Sequence, residues 1–249
     1  KDDLHDMLTK VRDCGMISKW AGGIGINVSM IRSNGSRING TGGVSNGLIP
    51  FLKLWNDLAR YVNQGGKRKG AVAVYLEPHH PDIYDFLKIR KNNTKDESRC
   101  LDLHIAIWMS DMFMRRVKED GYWCLFDPNE VKNLHDIYGD DYDRVYLRAE
   151  SDKKYIKRVK ARDLWKEILI SQMETGEPYI LFKDHINRKN NQMNRGVIRG
   201  SNLCVSKDTM ILCKDGYHKI SDKTDTVVEV WNGKEFSKTE VKKTGTDQE

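Results

Sequence analysis

Three short apolar runs, Ala71-Val72-Ala73-Val74-Tyr75-Leu76, Leu101 to Trp108 and Tyr179-Ile180-Leu181-Phe182, are separated by segments whose apolar residues recur at helical spacing. No other feature constrains the fold as much. Runs of this length read as strands, the last of them as a buried one, and strands that alternate with helices argue for an α/β architecture with parallel strands. The helical segments are explicit: Leu4, Met7, Leu8, Val11 and Met16 within Asp3 to Ser18, Leu52, Trp55, Leu58 and Ala59 within Leu48 to Val62, and Leu164, Trp165, Ile168, Leu169 and Met173 within Ala161 to Thr175. Asp2 or Asp3 supplies a helix N-cap, and Gly176 closes the last of these helices. Further helices are expected over Pro81 to Ile89 and Asp111 to Lys118, with a strand over Tyr122 to Pro128 and helical character over Asp136 to Tyr155.

The pattern changes at Cys204. Beyond it lie short β-type runs joined by Asp215-Gly216 and Asn232-Gly233, both hairpin dipeptides. Two parts are therefore expected, an α/β part over 1–203 and a small all-β part over 204–249.

Forty-two basic residues against 36 acidic ones give a net charge of +6. The densest basic run, Lys153 to Arg162, is assigned to a solvated helix face, so no nucleic-acid partner is expected; mild basicity suits phosphorylated small molecules equally well. No run approaches the roughly 18 apolar residues of a membrane span, and Lys1-Asp2-Asp3 lacks a signal-peptide core. A cytoplasmic location is expected, in the host if the chain is viral. Five cysteines without CxxC or His-pair spacing indicate reduced thiols, with Cys14 and Cys100 in the core, and no metal site. His79 and His80 are adjacent on an extended segment, so they face opposite ways and do not share an ion.

Three glycine-rich stretches stand out. In Ala21-Gly22-Gly23-Ile24-Gly25 the backbone can approach a phosphate or ribose, or simply pack beside a strand. The segment from Ile31 to Gly47 carries Arg32 and Arg37 among small polar residues and reads as a long loop, either gripping a phosphorylated ligand or lying free on the surface. Gln64 to Gly70 is a basic loop delivered to a strand end.

Taken in order, Ile17-Ser18-Lys19 with Ala21-Gly22-Gly23-Ile24-Gly25, Ser45-Asn46-Gly47-Leu48, Ala59-Arg60-Tyr61-Val62 with Gln64-Gly65-Gly66, Tyr75-Leu76-Glu77-Pro78, Glu174-Thr175-Gly176 with Pro178-Tyr179, and Ser201-Asn202-Leu203-Cys204 resemble the large subunit of class I ribonucleotide reductases of the eukaryotic and viral type. The resemblance implies part of a ten-stranded α/β barrel with a finger loop inside, and reduction of ribonucleotides to 2′-deoxyribonucleotides by thiyl-radical chemistry. It places Asp2, Asp3, Leu4, Lys19, Arg32, Asn39 and Gly40 at an allosteric site for ATP or deoxynucleoside triphosphate effectors with magnesium. It makes Gln64, Gly65, Gly66, Lys67, Arg68, Lys69 and Gly70 a specificity loop, and Gly23 and Asn202 substrate-binding residues. Implied partners are a metal-containing small subunit that supplies the radical, a second large subunit in a homodimer, and a thioredoxin- or glutaredoxin-type reductant. The family's overall-activity domain and one reducing cysteine are expected before Lys1.

The family's Asn-Leu-Cys-x-Glu signature places a base two residues after the radical cysteine, but position 206 is Ser206. A serine hydroxyl is no base near neutral pH. The text from Cys204 onward, with Asp208-Thr209, the Asp215-Gly216 hairpin and Trp231-Asn232-Gly233, resembles instead the start of an intein of the Hint fold. That resemblance makes Cys204 an acyl-shift nucleophile on the Leu203 carbonyl, and places the reductase's own cysteine and Glu downstream. No Thr-x-x-His block or terminal His-Asn pair occurs between Cys204 and Glu249, which implies a truncated intein or the N-half of a split one with a C-terminal partner. The competing reading keeps Cys204 as the radical cysteine of a divergent finger loop.

Overall fold

The computed structural model describes residues 2–19, 22–38, 42–64, 68–69, 71–201, 210–231 and 235–241. Helix α1 (Leu4–Lys19) is capped by Asp3, whose Oδ1 accepts from the backbone N–H of His5 and Asp6 at 3.0 and 3.2 Å. After strand β1 (Ile24–Asn27), the long glycine-rich stretch forms a hairpin, β2 (Asn34–Arg37) with β3 (Val44–Asn46), rather than a loop. Gly35 and Gly42 both take positive φ, which lets this chain double back without a Cβ clash. Helix α2 (Leu48–Tyr61) leads into a second small hairpin, β4 (Asn63–Gln64) with β5 (Arg68–Lys69).

Next come β6 (Val72–Leu76), the short helix α3 (Ile83–Phe86), β7 (Leu103–Met109), α4 (Asp111–Lys118), β8 (Tyr122–Leu125), α5 (Gly139–Ser151), β9 (Lys157–Lys160), α6 (Ala161–Thr175), β10 (Tyr179–Phe182) and α7 (Lys183–Arg188). Strands β1, β6, β7 and β10 form one sheet in that order, every pairing parallel, as the alternation of strands and helices requires.

The two faces of this sheet differ because side chains alternate along each strand. Val72, Val74, Leu76, Ile105 and Ile107 join the main core with Leu52, Trp55, Phe86, Phe113, Leu164 and Ile168. On the other face Ala73, Tyr75, Ala106 and Trp108 meet Leu181, Ile186 and Ile198. Alanines beside large rings leave room there for a returning chain.

Three expectations are corrected. The basic run is not helical before Ala161, where α6 begins: α5 stops at Ser151, Lys153 takes positive φ, and β9 pairs antiparallel with β8. Tyr155, Ile156 and Val159 favour a strand, and Arg158 and Lys160 lie 4.3 and 4.5 Å from the Tyr122 ring, contacts a free helix face lacks. Strand β10 is not buried: Tyr179 and Phe182 are 39% and 44% exposed, because among the described strands β10 has β7 alone as a neighbour. Between Pro81 and Ile89 only the four residues of α3 are α-helical.

Strands β11 (Met210–Cys213), β12 (Gly216–Lys219), β13 (Thr226–Trp231) and β14 (Phe236–Val241) form an antiparallel sheet in the order β12-β11-β13-β14. Cys213 faces Gly216, so the first turn is Lys214-Asp215, one residue earlier than its dipeptide indicates, with Gly216 at φ 119 just after it. Asn232 and Gly233 lie outside the described residues, while Trp231 pairs with Phe236 on either side of them. Among the described residues no helix is long and apolar enough to cross a membrane.

Candidate functional site

After α7 the chain returns across the alanine-bearing face of the parallel sheet. Asn187 sets its path: the amide donates to the carbonyls of Lys183 and Ile198 at 2.9 Å each, and Oδ1 accepts from the Ile198 N–H at 2.8 Å. Ile198 then packs against the small second core. Beyond it, Asn27 donates to the Arg199 carbonyl at 2.6 Å, and the Tyr75 hydroxyl donates to the Ser201 carbonyl at 2.7 Å. Burial raises the Tyr75 phenol above its ordinary value, so it stays a donor.

A cavity of about 430 Å³ opens beside this segment, lined by Gly23, Gly25, Asn27, Arg199, Gly200 and Ser201. The Gly25 backbone is pressed against the segment, for a Cβ there would lie 2.2 Å from the Ser201 carbonyl oxygen. Arg199 is held by Asp136. Gly23 and the run ending at Ser201 thus meet at one cavity. Asn202 and Cys204 lie outside the described residues.

A buried polar cluster sits where the parallel strands end. Glu77 follows β6, Ser110 follows β7, and Lys183 follows β10. Lys183 Nζ lies 3.0 and 2.9 Å from the two Glu77 oxygens and 2.7 Å from the Leu134 carbonyl, with both side chains wholly buried. Burial pushes the Glu77 carboxyl up to about 7, against the opposing pull of Lys183. His79 Nδ1 is 3.0 Å from the Tyr142 hydroxyl, and burial followed by the Lys183 charge drives its pKa well down. His80 instead reaches the Ile31 carbonyl at 2.7 Å, so the two histidines do part company. Among the described residues no His, Cys, Asp or Glu group of three or more is placed to hold a metal. Cys14 and Cys100 carry thiols raised by burial, Cys100 to about 11.

Of the expected effector residues, the structure joins Asp2 and Arg32, whose Nε lies 2.5 Å from the carboxylate, while Arg32 also donates to the Arg37 carbonyl at 3.1 Å. Asp3 is occupied as the α1 cap and Leu4 is exposed. Lys19 is the last residue of α1, roughly 22 Å along the axis from Leu4 at 1.5 Å per residue. Gln64 pairs with Arg68 and Asn63 with Lys69 in the β4–β5 hairpin, whereas Asn39, Gly40, Gly65, Gly66, Lys67 and Gly70 lie outside the described residues. Sequence reasoning missed the carboxylates that hold the β2–β3 hairpin: Asp127 accepts from the Ser33 N–H at 2.9 Å, and Asp82 from the N–H groups of Asn34 and Leu48 at 3.1 and 3.0 Å. It also missed Asn27, Tyr75 and Asn187. Of these only Tyr75 stands in one of the resembling stretches, and nothing there marks its hydroxyl as a donor.

A four-stranded parallel sheet with the main helical core on one face, and α7 and a returning chain on the other beside a glycine-lined cavity, is an α/β architecture. The chain belongs to the ribonucleotide reductase family, whose barrel-domain model matches residues 1–208. It is 53% identical over 205 residues to the ribonucleoside-diphosphate reductase large subunit of Arabidopsis thaliana, covering 82% of this chain and 25% of that protein. The large subunit of vaccinia virus (strain Copenhagen) is 49% identical over 205 residues, 82% of this chain and 27% of its own length. The Cryptosporidium parvum large chain is 45% identical over 248 residues, 96% of this chain and 31% of that protein. The chain therefore spans about a quarter of the length of the curated relatives it matches.

Proposed function

We propose that the chain is part of a ribonucleoside-diphosphate reductase large subunit that reduces ribonucleotides to 2′-deoxyribonucleotides by thiyl-radical chemistry, interrupted at Cys204 by the start of an intein. The observation that carries the reductase reading is the meeting of Gly23 and Gly25 with Arg199 to Ser201 at one cavity, directly before Asn202. In this reading Asn202 hydrogen-bonds the sugar, a cysteine radical removes the 3′ hydrogen, and a glutamate takes the 3′ hydroxyl proton. A small subunit supplies the radical and a thioredoxin-type protein restores the reducing thiols. The exposed Leu4, Leu8, Met16 and Ile17 of α1 fit a homodimer contact. Deoxynucleotide formation by the complete subunit with its small subunit is the test. Asn202→Ala is expected to lower turnover at least about 100-fold, and undiminished turnover rejects the reading.

Arg32, already paired with Asp2, is the residue we assign to an effector triphosphate. Arg32→Ala is expected to weaken effector binding at least about tenfold in titration calorimetry, the loss of a charge-assisted contact; unchanged affinity removes Arg32 from the site.

For the intein, the supporting observation is the antiparallel β11–β14 sheet, a change of architecture from the parallel sheet before it. Cys204 attacks the Leu203 carbonyl, and a thioester replaces the peptide bond. Expression of the complete chain is expected to give a product lacking the Cys204-to-Glu249 text, read by mass spectrometry, and Cys204→Ala is expected to abolish it. A mature protein that keeps residues 205–249 overturns this part alone.

A further inference from the structure

We infer that Asn27, Tyr75 and Asn187 are positioning residues, a clamp that fixes the backbone of Arg199 to Ser201 beside the cavity and thereby the point from which the chain continues to Asn202. The inference rests on the reductase reading for what Asn202 does, and on geometry alone for the clamp.

The segment from Lys189 to Ser201 contains no strand and no α-helix, only one short 3₁₀ turn at Met193–Arg195, so no ladder of backbone bonds sets where it ends. Side chains do this instead, in residue order. Asn187 fixes Ile198 from both its N–H and its C=O. The parallel register sets Asn27 directly opposite Tyr75 on neighbouring strands. Those two donors take the carbonyls of residues 199 and 201 at 2.6 and 2.7 Å. Carbonyls two residues apart in an extended segment point the same way, so two donors side by side on a sheet grip that conformation and no helical one. Gly25 and Gly200 let the grip close: a Cβ on Gly200 would lie 2.9 Å from the Tyr75 ring. Asn27 is itself preset, its Oδ1 accepting from the Ser29 N–H at 2.9 Å, which turns its amide nitrogen toward Arg199.

None of the three side chains carries a charge or a nucleophile suited to the chemistry. Their effect is distance. A displacement of about 1 Å at a reacting centre costs on the order of 100-fold in rate, and substrate affinity is less sensitive.

The test uses the complete large subunit with its small subunit, comparing wild type with Tyr75→Phe and Asn27→Ala. Tyr75→Phe keeps the ring that packs against Gly200 and removes only the donor. We expect kcat to fall about 10- to 100-fold with KM within about threefold, an unchanged Tm, and faster amide hydrogen exchange across residues 198–203. Faster exchange with full kcat overturns the positioning role, and unchanged exchange overturns the clamp. Proportional losses in KM and Tm would mean a merely structural contact and also overturn it. A wild-type subunit that reduces no ribonucleotide rejects the reductase reading, while the exchange measurement still decides whether the clamp exists.

Discussion

Replacing Lys183 with methionine is expected to lower the free energy of unfolding by about 3–5 kcal/mol at neutral pH, the loss typical when one partner of a buried ion pair is removed. Lys183 is wholly buried, and its ammonium serves both oxygens of Glu77 and the Leu134 carbonyl while lying 4.7 Å from the Tyr142 ring. Methionine fills similar volume, so little of the loss comes from a cavity. The loss comes from Glu77, whose buried carboxyl is left without the cation that offsets its burial and must keep a proton to higher pH.

The pH dependence has a definite sign. The Glu77 carboxyl already stands at about 7 in the folded chain, above its ordinary 4.5, so the folded state holds an extra proton between those values. Stability drawn from that proton is lost as pH rises through the window. Removing Lys183 takes away the influence that lowers the carboxyl, and the window extends upward. Below about 7 both chains hold the Glu77 proton, so the deficit of Lys183→Met relative to the parent should be level there and grow as pH is raised past 7, where the parent's carboxyl ionises beside Lys183 and the variant's does not. Urea denaturation at pH 5 and pH 8 measures it. A deficit below about 1 kcal/mol, or one that ignores pH, would show that the pair carries no such energy.

Local patterns made much of the fold legible. Helices α4 and α6 occupy the residues that spacing and capping assign them, and β10 matches its apolar run end to end. Parallel pairing followed from the order of elements. The failures have a common cause, in that the deciding partner is far away in sequence. Tyr155 to Lys160 fits a helix until β8 presents its backbone and the Tyr122 ring. Lys183 and Glu77 are 106 residues apart, and neither stands in a pattern that announces a buried pair. Tyr75 sits in an apolar run and looks like core until Ser201, 126 residues later, arrives at its hydroxyl. The glycines showed where a backbone could come close, as Gly25 and Gly200 do. What they lacked was the face of the sheet on which the two meet, which the register of β1 against β6 decides.

Gly25→Ala tests that meeting most severely. Gly25 is exposed and lies within β1, where alanine is tolerated by the backbone, so a Tm shift within a few degrees, about 1 kcal/mol, is expected. The added methyl, however, would stand 2.2 Å from the Ser201 carbonyl oxygen and 3.3 Å from the Tyr75 ring. The first contact is impossible and involves backbone, so no rotamer change relieves it. Either the Arg199-to-Ser201 segment lifts away or β1 slides, and the Asn27 register makes the first easier, since β1 has four paired positions to lose against β6. Lifting by about 1 Å breaks the Tyr75 bond and displaces the backbone that leads to Asn202, so under the proposed reductase function kcat of the complete subunit should fall at least about 100-fold. Gly25→Ala retaining more than a tenth of wild-type turnover would mean that Ser201 need not lie against β1 during the reaction. A crystal structure of the variant then separates the two displacements: a shifted 199–201 segment over an unmoved β1 is the outcome the packing dictates.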